Sequence, residues 1–88
     1  MSDQAAGWVF TKQAQRDMRR LDRPVAQRVV QALDRLCGDP PQGDVVKLTG
    51  APNEWRLRVG DWRVRFIRES SGPIQVTRVL PRGRAYRD

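Results

Sequence analysis

Two runs of alternating apolar and basic residues, joined by a glycine–aspartate pair, constrain the fold of this chain more than any other feature. The first run covers residues 54–59 and the second covers residues 62–66. Alternation with a period of two predicts strands with one buried face, and Gly60-Asp61 between them predicts a two-residue hairpin turn with glycine first. The apolar residues expected to point inward are Trp55, Leu57, Val59, Trp62, Val64 and Phe66.

The register of this hairpin follows from the length of its turn. Counting back from Gly60-Asp61, Arg58 faces Arg63 and Arg56 faces Arg65 on the outer face, which we expect to be open and basic. Like charges directly opposite each other cost roughly a few tenths of a kcal/mol or more, and a small domain has little stability to spare. The two pairs therefore favour a site that holds an anion over a strand face that is merely solvated.

The N-terminal part of the chain predicts a strand and two helices. Trp8-Val9-Phe10 is typical of a short strand, and Thr11 offers an N-cap for a first helix. Asp22-Arg23-Pro24 breaks that helix and starts another, because proline suits the first helical turn. Gly38 is suited to end the second helix. The first helix has one apolar face, formed by Ala14, Met18 and Leu21.

The second helix carries two neighbouring apolar stripes. One consists of Val25, Val29, Ala32 and Leu36, and the other of Ala26, Val30, Leu33 and Cys37. The second stripe is interpreted either as a wide core-facing side or as part of a surface on which a partner docks. Cys37 falls at an apolar position, so we expect it to pack in the core.

Residues 45–48 are a further extended segment, and residues 74–80 predict a third strand after the hairpin. We expect an α+β fold: a short N-terminal strand, a helical hairpin and a three-stranded antiparallel meander, with the helices packed on one sheet face. The length of 88 residues indicates one domain, 1–88, in which residues 1–7 are disordered and residues 81–88 form a basic tail.

The charge balance indicates a polyanionic partner. There are 17 Lys+Arg against 10 Asp+Glu, which gives a net charge of +7. All the cations except Lys12 and Lys47 are arginines, whose planar fork grips phosphate with two bonds and stacks on bases. Arginine-biased codon usage would explain the same ratio.

Several function classes are disfavoured by what the chain lacks. There is no histidine and only one cysteine, so we expect no metal site of the usual kind and no cofactor. No apolar run is long enough to span a membrane, and the N-terminus does not resemble a signal peptide. We therefore expect a cytoplasmic protein.

Aromatic residues near the basic positions have two readings. Tyr86 lies among the tail arginines, where it could pack, stack on a base or exchange a proton. Trp8, Trp55 and Trp62 are interpreted as core residues, with stacking on nucleobases as the alternative.

Four local motifs, in this order, resemble the RelE/ParE superfamily of type II toxin–antitoxin toxins over nearly the whole chain. They are Ala14-x-x-Asp17-Met18-x-x-Leu21; Leu33-x-x-Leu36-x-x-Asp39-Pro40; Lys47-Leu48-x-Gly50 followed by residues 55–64; and Val79-Leu80-Pro81-Arg82-Gly83-Arg84-Ala85-Tyr86-Arg87. Within the superfamily, the RelE branch comprises metal-independent endoribonucleases that cut messenger RNA on the ribosome and inhibit translation. The branch that inhibits DNA gyrase typically lacks the complete set of basic residues and tyrosine that this chain matches, which favours the RelE branch.

The resemblance also implies site residues. By motif position, the catalytic set corresponds to Arg56, Arg58, Arg63, Arg82 and Tyr86, and we expect RNA binding from Lys47, Arg65, Arg78 and Arg84. The best-known relatives often have lysine at the two strand positions occupied here by Arg56 and Arg58. Because arginine does not lose its proton, neither can act as a general base. Tyr86 then becomes the candidate base for attack of the RNA 2′-hydroxyl on the adjacent phosphate.

Partners follow from the same resemblance. It implies an acidic antitoxin encoded by the adjacent gene, a complex that binds its own operator DNA, and the ribosome with its mRNA as target. Two alternatives remain open: a toxin of the same fold that inhibits DNA gyrase, as in the ParE branch, and an RNA-binding module without catalysis.

Overall fold

The structure, a computed structural model, describes residues 7–50 and 52–85. Residues 1–6, which make up most of the segment expected to be disordered, and Tyr86 lie outside the described residues. The elements in chain order are β1 (Trp8–Phe10), α1 (Lys12–Arg19), α2 (Arg23–Leu36), β2 (Asp44–Lys47), β3 (Glu54–Val59), β4 (Trp62–Ile67), β5 (Ile74–Pro81) and α3 (Arg82–Ala85).

A five-stranded mixed sheet is the centre of the fold. Its strand order is β1-β5-β4-β3-β2, with β1 parallel to β5 and the other neighbours antiparallel. The predicted α+β class and the meander of β3, β4 and β5 are confirmed. Two strands extend that meander: β2 pairs with β3, and β1 adds to β5 through backbone bonds such as Ile74 N–H to Gly7 O, 2.9 Å.

The β3–β4 hairpin has the predicted register. Val59 pairs with Trp62, so Arg58 lies opposite Arg63 and Arg56 lies opposite Arg65. Gly60 has φ +58°, a left-handed conformation that glycine adopts without the steric cost of a Cβ. The two-residue turn therefore fixes the pairing of β3 with β4.

The hydrophobic core lies between the sheet and the two long helices. Val29 and Leu33 of α2 are fully buried, as are Val64 and Phe66 of β4. Trp8, Trp55 and Trp62 pack against this core while partly buried, which confirms their reading as core residues. Burial of Leu33 places part of the second apolar stripe of α2 in the core.

The expectation that Cys37 packs in the core is wrong, since its side chain is exposed. The helical part of α2 ends at Leu36, and Cys37 is its C-cap residue, followed by Gly38. The apolar stripe thus runs one residue past the end of the helix, where the chain turns away from the core.

Thr11 caps α1 as predicted, because its hydroxyl accepts a hydrogen bond from the Ala14 N–H at 3.2 Å. The same residue joins the helix to the sheet, since its backbone N–H donates to Val76 O at 2.9 Å. Within residues 7–50 and 52–85, neither α1 nor α2 nor α3 has the length and apolar character needed to cross a membrane.

Candidate functional site

Two rows of side chains cross the sheet on the face opposite the core. The register of β2 to β5 gives one row as Asp44, Arg58, Arg63 and Leu80, and the next as Val46, Arg56, Arg65 and Arg78. Residues paired directly across neighbouring strands project from the same face. Five arginines therefore share this surface, named here the arginine face: Arg56, Arg58, Arg63, Arg65 and Arg78.

The arginine face is less open than the alternation predicted. The side chain of Arg58 is 58% exposed and that of Arg65 only 16%, while Arg63 is 5% exposed as a residue. The expectation of an outward, solvated side chain therefore holds for Arg58 and is wrong for Arg63. Alternation fixes the face from which a side chain leaves the strand, but a long arginine can still fold back along that face.

Arg63 folds back onto the hairpin turn. Its Nη1 donates to the carbonyl oxygens of Gly60 and Trp62, both at 3.0 Å. The charge of this buried guanidinium is thus solvated by backbone dipoles. Within the described part of the chain, no carboxylate forms an ion pair with it.

Among residues 7–50 and 52–85, carboxylates lie beside three other arginines. Glu54 Oε1 is 3.0 Å from Arg65 Nη2, and Asp44 Oδ2 is 3.8 Å from Arg58 Nη1, where both side chains are exposed. These partners lower the repulsion between opposed arginines that the sequence predicted. Coulombic attraction between two such exposed groups is weak in water, so Arg58 still presents its charge to solvent.

Asp17 of α1 is the third carboxylate, and it is buried. It accepts from Arg78 Nε and from the Val79 N–H, each at 2.9 Å. The Val79 N–H is available because β1 pairs only as far as Val76 on β5. Asp17 thus accepts a hydrogen bond from a backbone N–H of β5 that β1 does not pair with.

The environment of Asp17 keeps it ionised. Burial by itself would raise the pKa of its carboxyl, but hydrogen bonds from Arg78 and Val79, with the charge of Arg78, outweigh that effect and lower the pKa below 3.8. The sequence motifs assigned Asp17 no role in the site. Its signal was an acidic residue on the same helical face as the apolar Ala14, Met18 and Leu21.

The remaining predicted site residues differ in whether they lie near the arginine face. Arg82 is exposed at the start of α3, and its backbone N–H donates to Asp61 O in the hairpin turn at 2.9 Å. Lys47 pairs in register with Trp55, on the opposite face, and its Nζ lies 5.8 Å from the Trp55 ring centroid. The structure therefore does not bring Lys47 to the arginine face. Arg84 belongs to α3 by its backbone.

Comparisons with known proteins agree with this architecture. A family model described as the ParE toxin of the type II toxin–antitoxin system, parDE, matches residues 9–86. The fold is similar to RelE in the RelE–RelB complex of Pyrococcus horikoshii OT3, with a TM-score of 0.73, 27% identity, and coverage of 91% of this chain and 98% of that chain.

Two further solved structures share the fold. The RelB–RelE antitoxin–toxin complex of Methanococcus jannaschii gives a TM-score of 0.73 at 22% identity, covering 89% of this chain and 94% of that chain. A mutant of the Escherichia coli toxin RelE in the free state gives 0.72 at 21% identity, covering 93% and 87%. No curated protein matches the sequence significantly. With the family model spanning nearly the whole chain, this protein belongs to the ParE toxin family of type II toxin–antitoxin systems, within the RelE/ParE superfamily.

Proposed function

We propose that this toxin is an endoribonuclease that cleaves messenger RNA held on the ribosome, and that Arg82 and the arginines of the arginine face other than the buried Arg63 bind the RNA. The observation that carries the proposal is that Arg58 and Arg56 lie directly opposite other arginines. The backbone N–H of Arg82 is hydrogen-bonded to Asp61 in the turn of the same hairpin. Closely spaced cations of this kind suit a phosphodiester, whose charge they neutralise along the backbone.

The chemistry proposed is attack of an RNA 2′-hydroxyl on the adjacent phosphorus, with the 5′-oxygen of the next nucleotide leaving. Arg56 and Arg58 hold the phosphate, and neither can accept the 2′-hydroxyl proton because guanidinium stays protonated. Arg82 stabilises the charge that develops on the crowded phosphorane. Tyr86, four residues after Arg82 in sequence, is the proposed general base, and its deprotonated form accepts the 2′-hydroxyl proton. The leaving 5′-oxygen takes up a proton from water, which leaves a 2′,3′-cyclic phosphate on one fragment and a 5′-hydroxyl on the other.

The proposed RNA-contacting residues differ in how accessible their positive charge is to a phosphate. The side chain of Arg58 is more exposed than those of Arg65 and Arg78. In addition, Arg65 forms a close ion pair with Glu54, and Arg78 forms one with Asp17. We therefore assign Arg58 and the exposed Arg82 the larger contribution to RNA binding, and Arg65 and Arg78 a smaller one. Arg84 is proposed as a further RNA contact. Lys47 faces away and would contact RNA only outside this site.

Inhibition of DNA gyrase is the second candidate function, and the specific observation in its favour is the match of residues 9–86 to a ParE toxin model. In that case the toxin acts by binding an enzyme rather than by cutting RNA. It predicts loss of gyrase supercoiling activity while mRNA stays intact. The two functions therefore give opposite results in two simple assays.

An antitoxin is the partner expected of a type II toxin. We propose that it is acidic and encoded by the adjacent gene, because a net charge of +7 and a basic sheet face are complementary to an acidic segment. We also propose that the complex of the two proteins binds its own operator DNA. Coexpression with the neighbouring gene product and copurification test the partner, and a mobility shift on the upstream DNA tests the operator.

The experiment that separates the two functions is a pair of assays on one protein preparation. New RNA ends are mapped by primer extension after the toxin is added to a cell-free translation reaction, and plasmid supercoiling is followed with purified gyrase. Cleavage at ribosome-held codons with normal supercoiling supports the nuclease. Intact mRNA with inhibited supercoiling rejects it in favour of the second candidate.

A further inference from the structure

We propose that Arg63 is a positioning residue, which holds the β3–β4 turn so that the turn anchors Arg82, and that Arg63 does not itself contact RNA. Motif position placed Arg63 among the residues expected to act on the phosphate, so the structure assigns it a different role. The inference rests on the proposed function for its effect on cleavage. Its structural part, the control of Arg82 by Arg63, stands on geometry alone.

Three successive carbonyl groups of the turn carry the inference. The guanidinium of Arg63 donates through Nη1 to Gly60 O and to Trp62 O, both at 3.0 Å. The carbonyl between them, Asp61 O, accepts the backbone N–H of Arg82 at 2.9 Å. Because both carbonyls that flank Asp61 are held by one rigid group, the direction of the Asp61 carbonyl is restricted as well.

The β3–β4 turn lies next to the start of α3 in space, although β4 and β5 separate the two in sequence. Trp62 pairs with Pro81 at the end of β5, and Arg82 begins α3 at the next residue. The bond from Arg82 N–H to Asp61 O therefore fixes the point at which the chain leaves the sheet. Any shift of the turn would carry Arg82 to a different place relative to the arginine face.

The burial of Arg63 argues against direct contact with a phosphate. The residue is 5% exposed, and its Nε is buried without an acceptor among the described residues. Arg58, directly opposite in the register, has a side chain that is 58% exposed. A phosphate can reach Arg58 without rearrangement, whereas reaching the guanidinium of Arg63 would require it to leave the turn.

Arginine suits this role better than lysine would. A guanidinium is planar, and one of its nitrogens can bridge two carbonyls while the rest of the group is held in place by packing. The ammonium of lysine is a point charge on a flexible stem, and it would lose the fixed geometry that restricts both carbonyls. Arg63→Lys therefore removes the positioning while keeping the charge.

The test is amide hydrogen exchange of Arg82, measured by NMR on the full-length chain without RNA. In Arg63→Lys, we expect the Arg82 amide to exchange about tenfold faster, which corresponds to weakening roughly one hydrogen bond. Val64, fully buried in the same strand, provides an amide that reports global opening. Arg58→Lys is the matched control, because it makes the same change opposite Arg63 without touching the turn, and it should leave Arg82 exchange unchanged.

A second variant disturbs the turn without altering Arg63. Gly60→Ala places a Cβ on a residue with φ +58°, where nothing lies within 4 Å of the added atom, so its effect is confined to backbone strain. We expect faster exchange of the Arg82 amide and reduced mRNA cleavage, as in Arg63→Lys. This variant decides the matter if Arg63→Lys folds poorly.

Several outcomes would overturn the inference. One is loss of cleavage in Arg63→Lys with an unchanged Arg82 amide, which would mean that Arg63 acts on the RNA directly. Another is normal cleavage in Gly60→Ala despite rapid Arg82 exchange, since the turn would then not position a working residue. If the unaltered toxin cleaves no mRNA, the proposed function fails, and the amide exchange alone still decides whether Arg63 holds Arg82.

Discussion

The carboxylate of Asp17 in α1 lies 2.9 Å from Nε of Arg78 in β5, although the two residues are 61 positions apart in sequence. The same carboxylate accepts the Val79 N–H at 2.9 Å. One buried side chain therefore joins the first helix to the edge of the last strand, and it fixes Arg78 at the end of the row that also contains Arg56 and Arg65. This ion pair links the stability of the fold to the geometry of the arginine face.

Replacing Asp17 should destabilise the protein. Asp17→Ala leaves the Val79 N–H without an acceptor and Arg78 without its carboxylate, so we expect the free energy of unfolding to fall by about 2 to 4 kcal/mol. Asp17→Asn keeps an oxygen that can accept from Val79 and should cost less. Urea denaturation measures both. Equal stability of Asp17→Ala and the unaltered chain would show that the ion pair contributes nothing.

Lowering the pH should remove the stabilisation that the ionised Asp17 carboxylate gives to the folded state. The pKa of this carboxyl is lower in the folded state than its ordinary value of 3.8, so the unfolded chain takes up the proton first as pH falls. The stabilisation is complete above about pH 4 to 5 and is lost as pH drops through the lower folded-state pKa. The difference in unfolding free energy between the unaltered chain and Asp17→Asn should therefore shrink as the pH falls below the ordinary pKa of 3.8. A difference that stays constant from about pH 7 to about pH 2 would contradict this.

Removing the carboxylate beside Arg65 should strengthen RNA binding at low salt. Glu54→Gln frees Arg65 from a partner at 3.0 Å, and each additional phosphate contact steepens the dependence of log affinity on log salt by about 0.7 for single strands. Titration of a fluorescent RNA at several salt concentrations measures this slope. Glu69→Gln, in the exposed loop between β4 and β5, makes the same charge change elsewhere. Equal slopes for the two variants would exclude Arg65 from the RNA site.

The hairpin shows which parts of the fold the sequence could predict. A two-residue turn and strict alternation leave one register, and Arg58 opposite Arg63 followed from counting. Edge strands β1 and β2 have only 3 and 4 residues, too few for alternation to reveal their partners. Their places in the sheet depend on contacts distant in sequence, such as the parallel pairing of Trp8 with Ile74.

Side-chain direction in the site was harder to predict than backbone register. Alternation placed Arg63 on the correct face but could not show that it folds back onto Gly60 and Trp62, because that choice depends on rotamers and on acceptors in the turn. Asp17 was visible only as a polar residue on an apolar helical face. Its partners lie in β5, and no local pattern connects the two.

The nuclease and its arginine site are tested together by the rate at which the toxin cleaves mRNA in a cell-free translation reaction, with RNA ends mapped by primer extension. Arg58→Ala and Arg82→Ala are compared with Arg28→Ala, which removes an exposed arginine from α2. We expect cleavage at ribosome-held codons by the unaltered toxin and by Arg28→Ala, and a loss of about tenfold or more in each of the other two variants. Cleavage at the same rate in all four proteins would contradict the assignment of the arginine face, and no cleavage by the unaltered toxin would contradict the nuclease itself.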